Sequence, residues 1–238
     1  MLEIKFEALS PFVRATSRYP SLMSIKSQLE NIQTRIDLAA KSANRRPEEI
    51  TLVAVSKTQP LELLQEAYAL GIRHFGESRL QEALPKIEAM PKDIHWHFIG
   101  TLQSNKAKRI ASVFSTVHTF CKEPQVFEAD KAQHSIDGFI EVNIASEVQK
   151  SGIAPFELDE LHAKLLQSKH VHFRGLMTIG PAGLEPEQMR PYFKELRSLA
   201  EGVGSESISM GMSGDFEVAI QEGASHIRIG TAIFGSRQ

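Results

Sequence analysis

Lys57 closes an apolar, β-branched run in TLVAVSKTQP, and Pro60 stops any strand three residues later. Side chains alternate along a strand, so Lys57 is in phase with Val53 and Val55 and faces wherever they face. If that face is a protein interior, an ammonium sits at its mouth. Taken alone, Lys57 reads as a strand-end lysine that reaches water. Two later segments, SMGMSGDF and RIGTAIFG, combine glycines with the hydroxyls of Ser213 and Thr231. Glycine lets backbone approach a ligand closely, and helix-opening N–H groups helped by such hydroxyls bind a phosphate without any lysine or arginine. For either loop alone, glycines serving a tight turn explain the pattern equally well. Arg228 is in phase with His226 and lies two residues before Gly230. It needs a partner: an acidic side chain is the plain choice, and a ring-nitrogen acceptor on a phosphorylated ligand is the functional one.

These groups act together only if the fold brings them together. Ile25, Leu29, Ile32, Ile36 and Leu38 recur with a helical period over residues 23–42, which predicts an amphipathic first helix. Eight short apolar runs follow: ITLVAVS, IRHFGE, IHWHFIG, VFSTVHTF, DGFIEVNIA, VHFRGLMTIG, SISMGM and HIRIGTAIFG. Segments such as 61–70, 123–133, 155–167, 187–201 and 216–222 are long enough to be crossover helices between parallel strands. Eight such units in about 190 residues predict an α/β fold, a single closed (β/α)₈ TIM-type barrel with an extra N-terminal helix. An open doubly wound sheet is the structural alternative. In a barrel the functional groups gather where strands end, a phosphate site after strands seven and eight is frequent, and strand eight closes against strand one. Lys57, Arg228 and both glycine loops would then share one rim, where a lysine partly desolvated near a cation has a lowered pKa and forms Schiff bases readily with aldehydes.

Composition excludes several classes of partner. The 238 residues carry 27 basic and 29 acidic side chains, a net charge of −2, with no long run of either sign. Neither a nucleic-acid nor an anionic-membrane surface is expected. The single cysteine, Cys121, excludes an internal disulfide framework and fits a reducing cytoplasm. The apolar stretches are strand-sized and the first twenty residues are charged, so neither a membrane span nor a secretory leader is expected.

An aldehyde that carries a phosphate and a pyridine ring is pyridoxal 5′-phosphate (PLP). The segments VAVSKTQP, HFGES, HWHFIGTLQSNK, KSGI, GLMTIGP and SMGMSGDFEVAIQEGASHIRIGTAIFG resemble the YggS/PROSC family of pyridoxal phosphate homeostasis proteins, whose fold is similar to the N-terminal barrel of alanine racemase. The resemblance runs from about Met23 to the C-terminus, giving one PLP-binding domain over 23–238 and an extension, 1–22, outside it. Met23 is then a candidate translation start. The resemblance implies that Lys57 forms the cofactor Schiff base, Arg228 faces the pyridine nitrogen, and Ser213, Gly230 and Thr231 hold the phosphate. The family usually reads FGEN where this chain has Ser78.

Several readings of the chemistry compete. A racemase needs acid/base groups on both faces of the cofactor, and Tyr68 and Tyr192 fall in predicted helices, while Tyr19 lies in the extension. An arginine at the pyridine nitrogen donates a hydrogen bond but no proton, which weakens the electron sink. A monomeric carrier that buffers PLP and delivers it to apo PLP-dependent enzymes is therefore expected, with a low-activity racemase-like enzyme as the alternative. His95 and His97, with His74 and His118 on neighbouring strands, have the spacing of metal ligands in barrel hydrolases. A class I aldolase-type enzyme also uses a barrel lysine. Satisfied core or rim histidines and solvated loop lysines, Lys106, Lys108 and Lys150, are the plain readings. Met177 packs against the ring or belongs to the core.

Overall fold

A computed structural model describes residues 24–147 and 150–235, so the expected extension 1–22, Tyr19 and the candidate start at Met23 lie outside the described residues. The first helix, α1 (Ile25–Ser42), starts where the Ser24 hydroxyl accepts from the Ser27 N–H. It buries Ile25, Ile32, Ile36, Ala39 and Ala40. Leu38, expected on the buried stripe, is 64% exposed. A 3.6-residue period carries it off the face that Ala39 and Ala40 occupy.

Eight parallel strands follow, β1 (Thr51–Val55), β2 (His74–Glu77), β3 (His95–Phe98), β4 (Thr116–Phe120), β5 (Ile136–Glu141), β6 (Val171–Met177), β7 (Ser207–Ser209) and β8 (His226–Ile229). They form a closed barrel in chain order, so the barrel expectation holds and the open sheet does not. The crossover helices are α2 (Leu61–Ala69), α3 (Leu80–Ala89), α4 (Ser104–Ala111), α5 (Glu123–Asp130), α6 (Leu158–Leu166), α7 (Pro186–Gly202) and α8 (Phe216–Gln221), and a short α9 (Thr231–Phe234) follows β8. None of the described helices is long and apolar enough to cross a membrane. β5 ends at Glu141, earlier than the run DGFIEVNIA suggests, and Val142 makes only an isolated bridge to Ile153. Lys106 and Lys108, expected in a loop, sit in α4, Lys106 half-buried and Lys108 exposed on either side of the buried Ala107.

Closure decides the geometry of the mouth. β1 pairs with β8 in the register Thr51↔His226 and Val53↔Arg228. α1 packs outside this seam: Arg35 bonds Glu217 at 2.6 Å and covers the Phe216 ring, and Arg45 donates to the Ile220 and Ala224 carbonyls at 2.8 Å each. Elsewhere a missing side chain lets strands meet. A Cβ on Gly175 of β6 would lie 1.7 Å from the Ser207 carbonyl oxygen of β7.

Gly175→Ala is expected to destabilise the chain by at least ~1–3 kcal/mol through overpacking. Gly202→Ala, at a helical position with nothing within 4 Å of the new methyl, is expected to stabilise by up to ~1 kcal/mol. Urea midpoints of both variants against the parent chain check the pair.

Candidate functional site

Two faces alternate along β1 and β2. A Cβ on Gly76 would touch Val53 and Val55, which puts these three on the inner face. Ser56 and Glu77 take the outer phase, between strand and helix layers, and Lys57 the inner one. Lys57 is half-buried and lies in a turn closed by Gln59 N–H donating to the Ser56 carbonyl at 3.0 Å. Thr58 in that turn has φ 65°, a left-handed conformation that a β-branched residue adopts only under constraint.

The constraint is a buried clamp. Lys86 of α3 donates to Glu77 at 2.7 Å and to the Ser56 carbonyl at 2.8 Å, and the Ser56 hydroxyl donates to the same Glu77 oxygen at 2.8 Å. Glu77 is fully buried, so removal of either partner would strand a charge. Sequence reasoning missed this clamp. The available signal was phase: Glu77 shares the helix-facing side of β2 with Phe75, where a carboxylate needs a cation, and Lys86 follows nine residues later.

Arg228 is 5% exposed, inside the barrel. Its Nη1 donates to the Ser209 hydroxyl at 2.6 Å and its Nη2 to the Thr178 carbonyl at 2.8 Å. These use two of five N–H donors. Burial lowers its pKa to about 10, against the opposing pull of Glu141 and Asp215. The acidic partner weighed from sequence is thus present as a field, while the direct contacts are neutral.

The two glycine loops also meet. The Ala232 N–H, at the start of α9, donates to the Ser213 hydroxyl at 3.3 Å, joining the loop after β7 to the loop after β8. The N–H groups of Ser213 and Gly214 donate to no protein acceptor among the described residues, and a Cβ on Gly214 would meet nothing within 4 Å. Neutral donors of this kind beside open space suit a phosphate. Not every glycine serves a ligand. Gly211 has φ 88° and lies where a Cβ would sit 2.5 Å from that of Ala219, so the tight-turn and packing explanations hold there, whereas a Cβ on Gly230 would make only ordinary contact, 3.4 Å from Val55.

Further residues join this mouth, and two of them, Glu141 and Asp215, carry no sequence signal of their own. Glu141 ends β5 in phase with Phe139, whose ring stacks on His118 in the barrel interior. It is 4% exposed, and burial raises its pKa to about 7 although Arg228 pulls the other way. Asp215 accepts from the Met212 N–H at 2.6 Å, and burial raises its pKa as well. Met177 is fully buried at the end of β6. Lys150 bonds the Gly180 carbonyl at 2.8 Å and pairs with Glu147, tying two mouth loops together. Ser78, in place of the usual asparagine, is half-buried beside Gly100, where an added Cβ would strike its carbonyl.

The histidines answer the metal reading. The ring nitrogens of His74 and His97, and of His97 and His118, lie 2.9 Å apart and face each other, a geometry that shares a proton. No group of three or more His, Cys, Asp or Glu side chains is placed to hold a metal ion among the described residues. Tyr68 bonds Asp93 at 2.9 Å from α2, and Tyr192 packs in α7, so both serve the helix layer.

Residues 27–238 match the family described as alanine racemase, N-terminal domain. The pyridoxal phosphate homeostasis protein of Schizosaccharomyces pombe is 40% identical over 91% of this chain and 94% of its own length. That of Aquifex aeolicus is also 40% identical, over 91% of this chain and 100% of its own. Among solved structures, PipY of Synechococcus elongatus PCC7942 with PLP bound superimposes with a TM-score of 0.75 at 32% identity, covering 89% of this chain and 100% of PipY. With a family match over nearly the whole described chain and relatives 40% identical over 91% of it, the chain belongs to the alanine racemase N-terminal domain family and, within it, to the pyridoxal phosphate homeostasis proteins.

Proposed function

We propose that this chain binds PLP at the barrel mouth, with Lys57 as the Schiff-base lysine, and serves PLP homeostasis by holding the cofactor and releasing it to apo PLP-dependent enzymes. The observation that carries the reading is the β1–β8 seam, which sets Lys57 on the inner face above Arg228 and beside the joined Ser213 and Ala232 loops. Bound there, PLP supplies an aldehyde that captures amines and a ring that accepts electrons. Arg228 donates to the ring nitrogen and keeps its own proton, since its pKa of about 10 lies far above that of a pyridine. The ring then stays a weak electron sink. Ser213, Gly214, Gly230 and Thr231 surround the phosphate with backbone N–H groups and hydroxyls. Thr178 and Met177 line the floor. The compartment that fits is a reducing cytoplasm, in which Cys121 stays a free thiol made inert by burial, which raises its pKa.

Borohydride reduction of the PLP-loaded chain followed by peptide mass analysis should locate the pyridoxyl group on Lys57, and Lys57→Ala should lack the visible absorbance of the loaded chain. Label mainly on another lysine would refute the assignment. Transfer to an apo-enzyme trap, read by recovery of the trap's activity, tests delivery.

Glu141 favours a second reading, a racemase-like enzyme of low activity, because a buried carboxyl with a pKa near 7 is able to take and return a proton. Incubation with L- and D-amino acids in deuterated water separates the two. Exchange of the α-proton faster than about 1 s⁻¹, abolished in Glu141→Gln, would establish the enzyme; negligible exchange with transfer to the trap supports the carrier.

The same residue gives the cofactor-free chain a pH signature. A carboxyl that ordinarily titrates at 4.5 and here titrates at about 7 holds, between those values, a proton that the unfolded chain has lost. The linked stability is complete below the lower value and is lost as the pH rises through the upper one. Against Glu141→Gln, which stays neutral throughout, the parent chain should therefore lose roughly 1–3 kcal/mol between about pH 5 and about pH 8, measured as the difference in urea-unfolding free energies.

A further inference from the structure

The barrel interior holds a continuous hydrogen-bonded path of which the cofactor reading uses only one end, Arg228. It runs from His74, the first residue of β2, through His97 of β3 and His118 of β4 to Ser209 of β7 and Arg228 of β8. The four links are His74 Nδ1 to His97 Nε2 at 2.9 Å, His97 Nδ1 to His118 Nε2 at 2.9 Å, His118 Nδ1 to Ser209 Oγ at 2.9 Å, and Arg228 Nη1 to Ser209 Oγ at 2.6 Å. His97, His118, Ser209 and Arg228 are buried, and His74, stacked on the exposed His95 at 4.7 Å, brings the path to the strand-start end of the barrel.

We propose that these groups form one hydrogen-bond chain of fixed direction, with the position of every imidazole proton set from the Arg228 end, and that Ser209 and His118 are positioning residues that hold the Arg228 guanidinium at the mouth. The direction follows from counting protons. A guanidinium has donors only, so Arg228 gives its Nη1 proton to Ser209 Oγ. The Ser209 hydroxyl has one proton of its own, and its remaining partner among the described residues is His118 Nδ1. If that nitrogen carried a proton instead, Ser209 would receive two donors and its own proton would have no acceptor, which is costly in a buried site. His118 Nδ1 is therefore the acceptor, and a neutral His118 carries its proton on Nε2. That proton goes to His97 Nδ1, whose own proton is then on Nε2 and goes to His74 Nδ1. All three rings are assigned the Nε2–H form.

The rings have the neutrality this ordering needs. Burial lowers the pKa of His97 and His118 well below the ordinary histidine value and that of His74 to about 4. His226, the fourth interior histidine, stands edge-on to His118, bonds Ser225 at 2.9 Å and lies outside the path. Hydrogen bonds in such a chain polarise one another, so each link strengthens the next.

The consequence for Arg228 rests on the proposed cofactor reading, whereas the proton order does not, and the test separates them. In the cofactor-free chain labelled with ¹⁵N-histidine, two-bond ¹H–¹⁵N correlation spectra at neutral pH should show His74, His97 and His118 all neutral with the proton on Nε2. Any of the three found charged or in the Nδ1–H form overturns the chain. Ser209→Ala should disturb the His118 and His97 ring signals and weaken PLP binding, measured by absorbance titration, by roughly three- to tenfold, the loss of one buried hydrogen bond. Ser209→Thr, which restores the hydroxyl, should recover both. If Ser209→Ala disturbs the rings but leaves PLP binding unchanged, the positioning role is wrong. If the parent chain binds no PLP while its rings keep the Nε2–H order, the cofactor reading fails and the hydrogen-bond chain stands.

Discussion

A permanent positive charge buried inside the barrel is the constraint to which the interior answers. Taking a guanidinium out of water costs several kcal/mol unless fixed dipoles replace its hydration. Around Arg228 those dipoles are the Ser209 hydroxyl and the Thr178 carbonyl, with the carboxyls of Glu141 and Asp215 acting at longer range. Barrel interiors are ordinarily filled by branched aliphatic side chains. Here imidazoles fill the same volume: they stack and pack like apolar rings, as His118 does on Phe139, while their nitrogens link through Ser209 to the arginine. An imidazolium in that position would repel Arg228, and burial together with this repulsion keeps His118 neutral.

The opposite side of the mouth solves a different problem. On the proposed reading Lys57 projects from a turn while remaining reachable, so its placement cannot rest on full burial. It comes from the residue before it. Ser56 is held through both its carbonyl and its hydroxyl, and the Lys86–Glu77 pair that holds it is sealed between β2 and α3. A buried ion pair adds little net stability compared with apolar packing, but it tolerates only one arrangement. That singular geometry sustains the left-handed Thr58 beside Lys57, a conformation worth ~1–3 kcal/mol of strain.

The fold was legible because its periods are clean. β-branched runs separated by helical segments recur eight times, and the parallel order then leaves β1 and β8 to close, which is why Lys57 and Arg228 were readable as neighbours. The joined loops at Ser213 and Thr231 were legible for the same reason, as adjacent positions on a barrel rim. What stayed hidden depends on contacts between elements far apart in the chain. Glu141 looks like any polar end of a strand, and only closure of the barrel around it removes its water. The histidines suggested ligands for a metal because spacing along a strand reports a shared face and not where the nitrogens aim. Their mutual 2.9 Å contacts depend on the stagger between β2, β3 and β4, which no single segment encodes.

The phosphate-binding groups proposed at Ser213, Gly214, Gly230 and Thr231 bear on holding against releasing. A phosphate met by lysine or arginine gains charge-assisted hydrogen bonds of about 1.5–3 kcal/mol each, and one met by neutral N–H and hydroxyl groups gains about half of that. On the proposed reading, the phosphate is met by neutral donors and the ring by a single arginine, so most of the grip falls to the Schiff base at Lys57. That linkage is reversible by amines and water, and Lys57 stands at an open mouth. Retention then depends on one bond that solvent and other amines can reach, while the non-covalent contacts orient the ligand and add modest affinity. An arrangement of this kind suits delivery better than turnover, because turnover rewards contacts that tighten as charge develops, and the neutral cradle and the proton-retaining Arg228 offer few of these.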